Sequence, residues 1–124
     1  MAKKDDRPID VGLAALIGND EVAATAFWKK RMELIAAIPS DIARVGAMTP
    51  QLRELTRIVS DAERERLTRT RMIAFAQLAP DVRRKLLDAR AAAFQVDPEV
   101  MQKDQAMVDK ILPTVDASVR SAYS

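Results

Sequence analysis

At 124 residues, with 20 basic and 18 acidic side chains and neither cysteine nor histidine, the chain fits one domain and excludes several chemistries at once. A disulfide framework, a thiol nucleophile, a zinc-finger ligand set, a Ser-His-Asp triad and a proximal haem imidazole all need residues it lacks. No Asp-rich Ca²⁺ loop is present either, so neither a metal nor a cofactor is expected.

The composition is 48% apolar but only 4% aromatic, with three Gly, which favours helices over sheet. Residues 1–8, Met-Ala-Lys-Lys-Asp-Asp-Arg-Pro, are charged and lack the apolar run of a secretion signal. They read as a disordered arm ahead of a single helical domain over 9–122, and no stretch has the length of a membrane span. A soluble cytoplasmic protein is the expectation.

Helices are expected near 9–17 and 20–37, with Gly18-Asn19-Asp20-Glu21 marking the joint. Ala24, Phe27, Trp28, Ile35 and Ile38 share one face of the second. A short helix near 40–46 should follow, then a long one over 50–78 in which Thr49 is the N-cap and Pro50 the first helical residue. Ser60-Asp61-Ala62-Glu63 has capping-box spacing and can restart or kink that helix. Pro80-Asp81 opens a helix over 80–94, Asp97-Pro98 one over 98–112, and a short tail helix lies near 115–122. No segment alternates with a period of two and no Asn-Gly or Asp-Gly hairpin occurs. The expected fold is an all-α compact bundle of about five to seven short-to-medium helices with Pro- and Gly-marked corners.

Residues 32–44 align without gaps on residues 72–84, with Met, Ala, Asp and Arg at equal offsets. An offset of 40 lies in the range of helical repeats, although any helix–proline–helix corner recruits similar residues.

Arginine is the most uneven feature. Arg53, Arg57, Arg64, Arg66, Arg69, Arg71, Arg83, Arg84 and Arg90 crowd the middle of the chain, whereas residues 96–124 are mildly acidic. Arg64, Arg66, Arg69 and Arg71 are candidate partner-binding residues, since a guanidinium fork suits phosphates and carboxylates. The competing reading is a solvated helix stitched by local pairs, because Glu54–Arg57, Asp61–Arg64 and Glu65–Arg69 have pairing spacing. Trp28 is the other partner-binding candidate, at the edge of the core beside Lys29-Lys30-Arg31. Phe27 and Trp28 can both be buried only under a wide apolar face, which points to a homodimer.

Two further readings compete. Residues 42–57 have the flavour of a helix-turn-helix, with Gly46 in the turn and Gln51, Arg53 and Arg57 placed to meet nucleic acid. Its Gly spacing is one residue short, and a net charge of +2 is low for a DNA reader. An enzyme without His or Cys would show itself as a closed pocket lined by convergent Arg with a buried acid. Leu52-Arg53, Leu67 and Arg71-Met72 resemble the first helix of the all-helical chorismate mutases, which implies electrostatic clamping of a dicarboxylate. The spacing departs by one residue, and the later Lys, Arg-Glu and Gln positions of that family have no counterparts, so no catalytic role is carried over. The reading adopted is a small helical protein that acts by protein–protein interaction, as an adaptor or regulatory module that self-associates.

Overall fold

The computed structural model describes residues 21–58 and 60–123. The expected N-terminal arm and the helix expected at 9–17 lie outside those residues. Within the described residues six α-helices form a compact all-α bundle: α1 Glu21–Ala36, α2 Asp41–Thr56, α3 Asp61–Ala76, α4 Pro80–Val96, α5 Pro98–Ile111 and α6 Ala117–Ala122. A 3-10 turn, Leu112–Thr114, joins the last two.

Most expected boundaries hold. Ser60 caps α3, its Oγ accepting from the Glu63 N–H at 3.2 Å, and Ser40 caps α2 by the same bond to the Ala43 N–H. Pro80 and Pro98 each open a helix, where a missing N–H costs nothing. Asp97 caps α5 and its carboxylate also takes a 2.8 Å bond from Arg53, tying the start of α5 to α2. The Arg53 guanidinium, aided by the Val100 N–H, holds the Asp97 carboxyl below the usual carboxylate range.

One boundary is corrected. Thr49-Pro50 does not start a helix, because α2 runs unbroken from Asp41 to Thr56 with Pro50 inside it. The Thr49 hydroxyl turns back to the Val45 carbonyl at 3.0 Å instead of capping. Val45, Met48, Leu52 and Leu55 form one buried stripe that crosses the proline. Burying four such side chains is worth roughly 1.5–3 kcal/mol each, more than the ~3 kcal/mol that an interior proline costs. The restart that Ser60 offered within the stretch 50–78 is taken: α2 ends at Thr56 and α3 begins at Asp61.

The helices recur more regularly than the 40-residue similarity implied. Helices α2 and α3 begin at Asp41 and Asp61, each 16 residues long, and α4 begins at Pro80. The exits of α1, α2 and α3 repeat as well, with the N–H groups of Ile38, Ile58 and Leu78 bonding three residues back to Ile35, Leu55 and Phe75. At the entries of α2, α3, α4 and α6 an arginine locks the corner. Arg44 and Arg64 pair with Asp41 and Asp61 and donate to the carbonyls of Ile38 and Ile58. Arg83 donates to Leu78 O at 2.6 Å, and Arg120 to Val115 O. These guanidiniums satisfy carbonyls that a helix exit leaves without partners. The alignment matched Arg84 to Arg44, yet Arg83 does the work at that corner.

α3 is the central helix. One face enters a core of Trp28, Met32, Leu52, Leu67, Phe75 and Leu86 with their neighbours, and Met72 enters a second cluster with Met107, Ile111 and Val119. An arginine-rich sequence therefore sits in the middle of the bundle rather than on its outside.

Candidate functional site

The sequence-derived candidates fall into different surroundings. Trp28 is 0% exposed, so it is core and not a recognition edge. Its indole sits edge-on to Phe27 at 5.5 Å, and Nε1 has no hydrogen-bond partner. Phe27 is half-buried and carries the Arg31 guanidinium over its ring. The wide unpartnered face expected from this pair is not formed.

Arg64, Arg66, Arg69 and Arg71 do not share a face either. Residues two apart on a helix point some 200° away from each other. Arg64 is a corner lock, Arg69 bridges Glu65 and Thr114, and Arg71 is buried. Arg66 is exposed, with no ion pair among the described residues. Glu65, bonded to Lys110 and Arg69, has its carboxyl held below the ordinary value against a smaller desolvation effect. All three expected local pairs are present, Glu54–Arg57 at 3.2 Å, Asp61–Arg64 at 2.6 Å and Glu65–Arg69 at 3.1 Å. Along the stretch from Arg53 to Arg90, every arginine but Arg66 and Arg84 has a bonded partner among the described residues. Its excess positive charge serves the fold.

The helix-turn-helix geometry is absent at 42–57, since Gly46 lies within continuous α2. Gln51 is buried, Arg53 pairs with Asp97, and Arg57 pairs with Glu54. The chorismate-mutase-like residues are divided as well: Leu52 and Arg53 sit on α2, Leu67 and Arg71 on α3.

Two features the sequence reading did not single out stand as candidate sites. The first is a groove of about 400 Å³ between α2 and α4. Gly46, Ala89 and Ala92 line it, Ile42 and Val96 stand on its rim 85% and 65% exposed, and Asp41, Lys85 and Asp88 add charge. A Cβ at Gly46 would meet nothing within 4 Å, so the groove is open there.

The second is a buried charge cluster. Arg71 grips Asp104 with two bonds of 3.0 and 2.9 Å, and Arg90 reaches the same carboxylate at 2.8 Å. Arg90 also donates to Gln105 at 3.0 Å, and Gln105 in turn donates to Asp109 at 2.9 Å. Asp104 is 2% exposed. Burial alone would raise its carboxyl, but the two guanidiniums outweigh that and hold it below the ordinary range. Burial likewise works against the Arg71 charge, and Asp104 more than restores it. Tyr123 lies close by and is pushed up to about 12, chiefly by burial and against the pull of Arg71 and Arg90.

A small, partly open cavity of about 60 Å³ adjoins the cluster, lined by Arg71, Arg90, Gln51 and Tyr123 among apolar side chains. Convergent arginines with a buried acid are the pattern expected of a His- and Cys-free catalytic pocket. Here Asp104 is bonded to both arginines.

Among the described residues no helix is long and apolar enough to cross a membrane, and no group of three or more Asp and Glu is placed to hold a metal. No family model matches the chain, and no curated protein or solved structure matches it.

Proposed function

We propose that the protein acts by protein–protein contact through the α2–α4 groove, and that a second copy of the chain is its occupant. The groove itself supports this reading: an apolar channel with small residues lining it and two large aliphatic side chains left in water on its rim. Knob and hole lie on one patch, so two copies related by a two-fold axis can exchange Ile42 and Val96 into the hollows beside Gly46, Ala89 and Ala92. Acid and base also share the rim, which lets Asp41 or Asp88 of one copy meet Lys85 of the other. The expected homodimer thus moves from the Phe27–Trp28 face to α2 and α4.

Sedimentation of the purified chain at micromolar concentration tests this. The expected result is a dimer for the wild type and a monomer for Ile42→Asp and Val96→Asp, with melting temperatures little changed because both positions are exposed. A compact monomer for the wild type, or dimers that survive both substitutions, would overturn the proposal.

A further inference from the structure

The cavity beside the charge cluster gathers hydrogen-bond donors from three helices and the chain's C-terminal end. Arg71 on α3 and Arg90 on α4 border it, as do Gln51 on α2 and Tyr123. Gln51 is only 4% exposed, yet its Nε2 donates to nothing. A buried amide left without a partner is costly, and such groups are normally satisfied. The charges point the same way. Asp104 binds both guanidiniums but cancels only one, which leaves a net charge of one positive unit among largely buried groups. The remaining wall is apolar, with Met32, Ile35, Met48 and Leu86 contributing. A volume of about 60 Å³ admits a few waters or one small organic anion.

We infer that this cavity binds a small monocarboxylate, its carboxylate facing Arg71, Arg90 and the free Gln51 amide and its short alkyl tail packed on the apolar wall. A monoanion balances the unmatched positive unit, satisfies the orphaned amide, and needs no proton transfer. The tail separates a carboxylate from an inorganic ion, which would meet the donors but leave the apolar wall bare. Because α1, α2, α3 and α4 all border the cavity, an occupant is a common contact for the four repeating helices, and the fold gains stability from its binding by mass action.

The test is a titration of the full chain with sodium propionate against sodium chloride at equal ionic strength. The expected result is a saturable rise in melting temperature with propionate alone. The ¹³C-methyl resonances of Met32 and Met48, which line the cavity, shift along the same curve, while that of Met107 in the second cluster stays in place. Gln51→Leu keeps the volume and removes the unpaired amide, so its melting temperature is no lower than wild type and its response to propionate is lost. An equal response to chloride, an equal response in Gln51→Leu, or Met32 and Met48 resonances that do not move with propionate would each overturn the inference.

Discussion

Asp104→Ala is expected to cost roughly 3–5 kcal/mol, the largest loss from any single change to a charged residue in this chain. The carboxylate is the common anchor of Arg71 and Arg90, and its removal strands two largely buried cations. Moving such charges out of water is expensive, and only the bonds to Asp104 offset it. A domain of this size has about 5–15 kcal/mol of stability in total, so the variant should melt far below the wild type. Removing the whole cluster is a different matter. In a variant with Arg71→Met, Arg90→Leu and Asp104→Leu combined, no charge is left unpaired, and stability should stay near or above that of the wild type.

The same cluster sets the acid limit. The folded-state carboxyl of Asp104 lies below its unfolded value, so its contribution is complete above the ordinary carboxylate range and is lost as pH falls through the folded value. Denaturant midpoints measured from neutral pH down to about pH 3 should therefore fall steeply below about pH 4 in the wild type and less steeply in the apolar triple variant. An Asp104→Ala chain within about 1 kcal/mol of wild type would mean that the cluster does not carry this weight.

Trp28→Ala should come second, at about 3–5 kcal/mol, because a fully buried indole leaves a cavity between α1 and α3 that helices so closely packed cannot collapse. Trp28→Phe separates packing from polarity. It keeps most of the ring while removing an N–H that has no acceptor, whose burial costs about 1–3 kcal/mol, so it should lose far less than the alanine variant. Urea unfolding followed by circular dichroism gives both numbers without using the chain's single Trp as the probe. Equal losses for the two variants would show that the aromatic volume is not what matters there.

How much of this could be read in advance depended on whether the deciding interaction was local. Caps at Ser60 and Asp97, and prolines opening α4 and α5, act within one turn, and each marked its helix correctly. So did the ion pairs three and four residues apart. Pro50 misled because a local rule met a longer-range one: the stripe Val45, Met48, Leu52, Leu55 was visible at helical spacing, and it outweighs the proline only when packed against other helices. The charge cluster had a signal that went unread. Arg71 interrupts the apolar series Leu67, Ala74, Phe75 on α3, and Asp104 interrupts Met101, Val108, Ile111 on α5. Opposite charges, each on the apolar stripe of a different helix, are what a buried ion pair looks like in sequence. Tyr123 and Gln51 carried no comparable mark, since only the fold brings a C-terminal residue and the middle of α2 to one cavity. The α2–α4 groove was hidden for a similar reason: reading Gly46 as a turn removed it from the helix that lines the groove.

Self-association through that groove is tested most directly by exploiting the absence of cysteine. In a two-fold interface centred on the groove, Gly46 lies near the axis and meets its own counterpart. Gly46→Cys introduces one thiol, at a position where a side chain has open space. Under mild oxidation this variant should convert to a covalent dimer, whereas Glu63→Cys, placed on α3 outside the groove, should not. Gly46→Cys that stays monomeric under oxidation while Glu63→Cys cross-links at the same rate or faster would contradict the assigned interface.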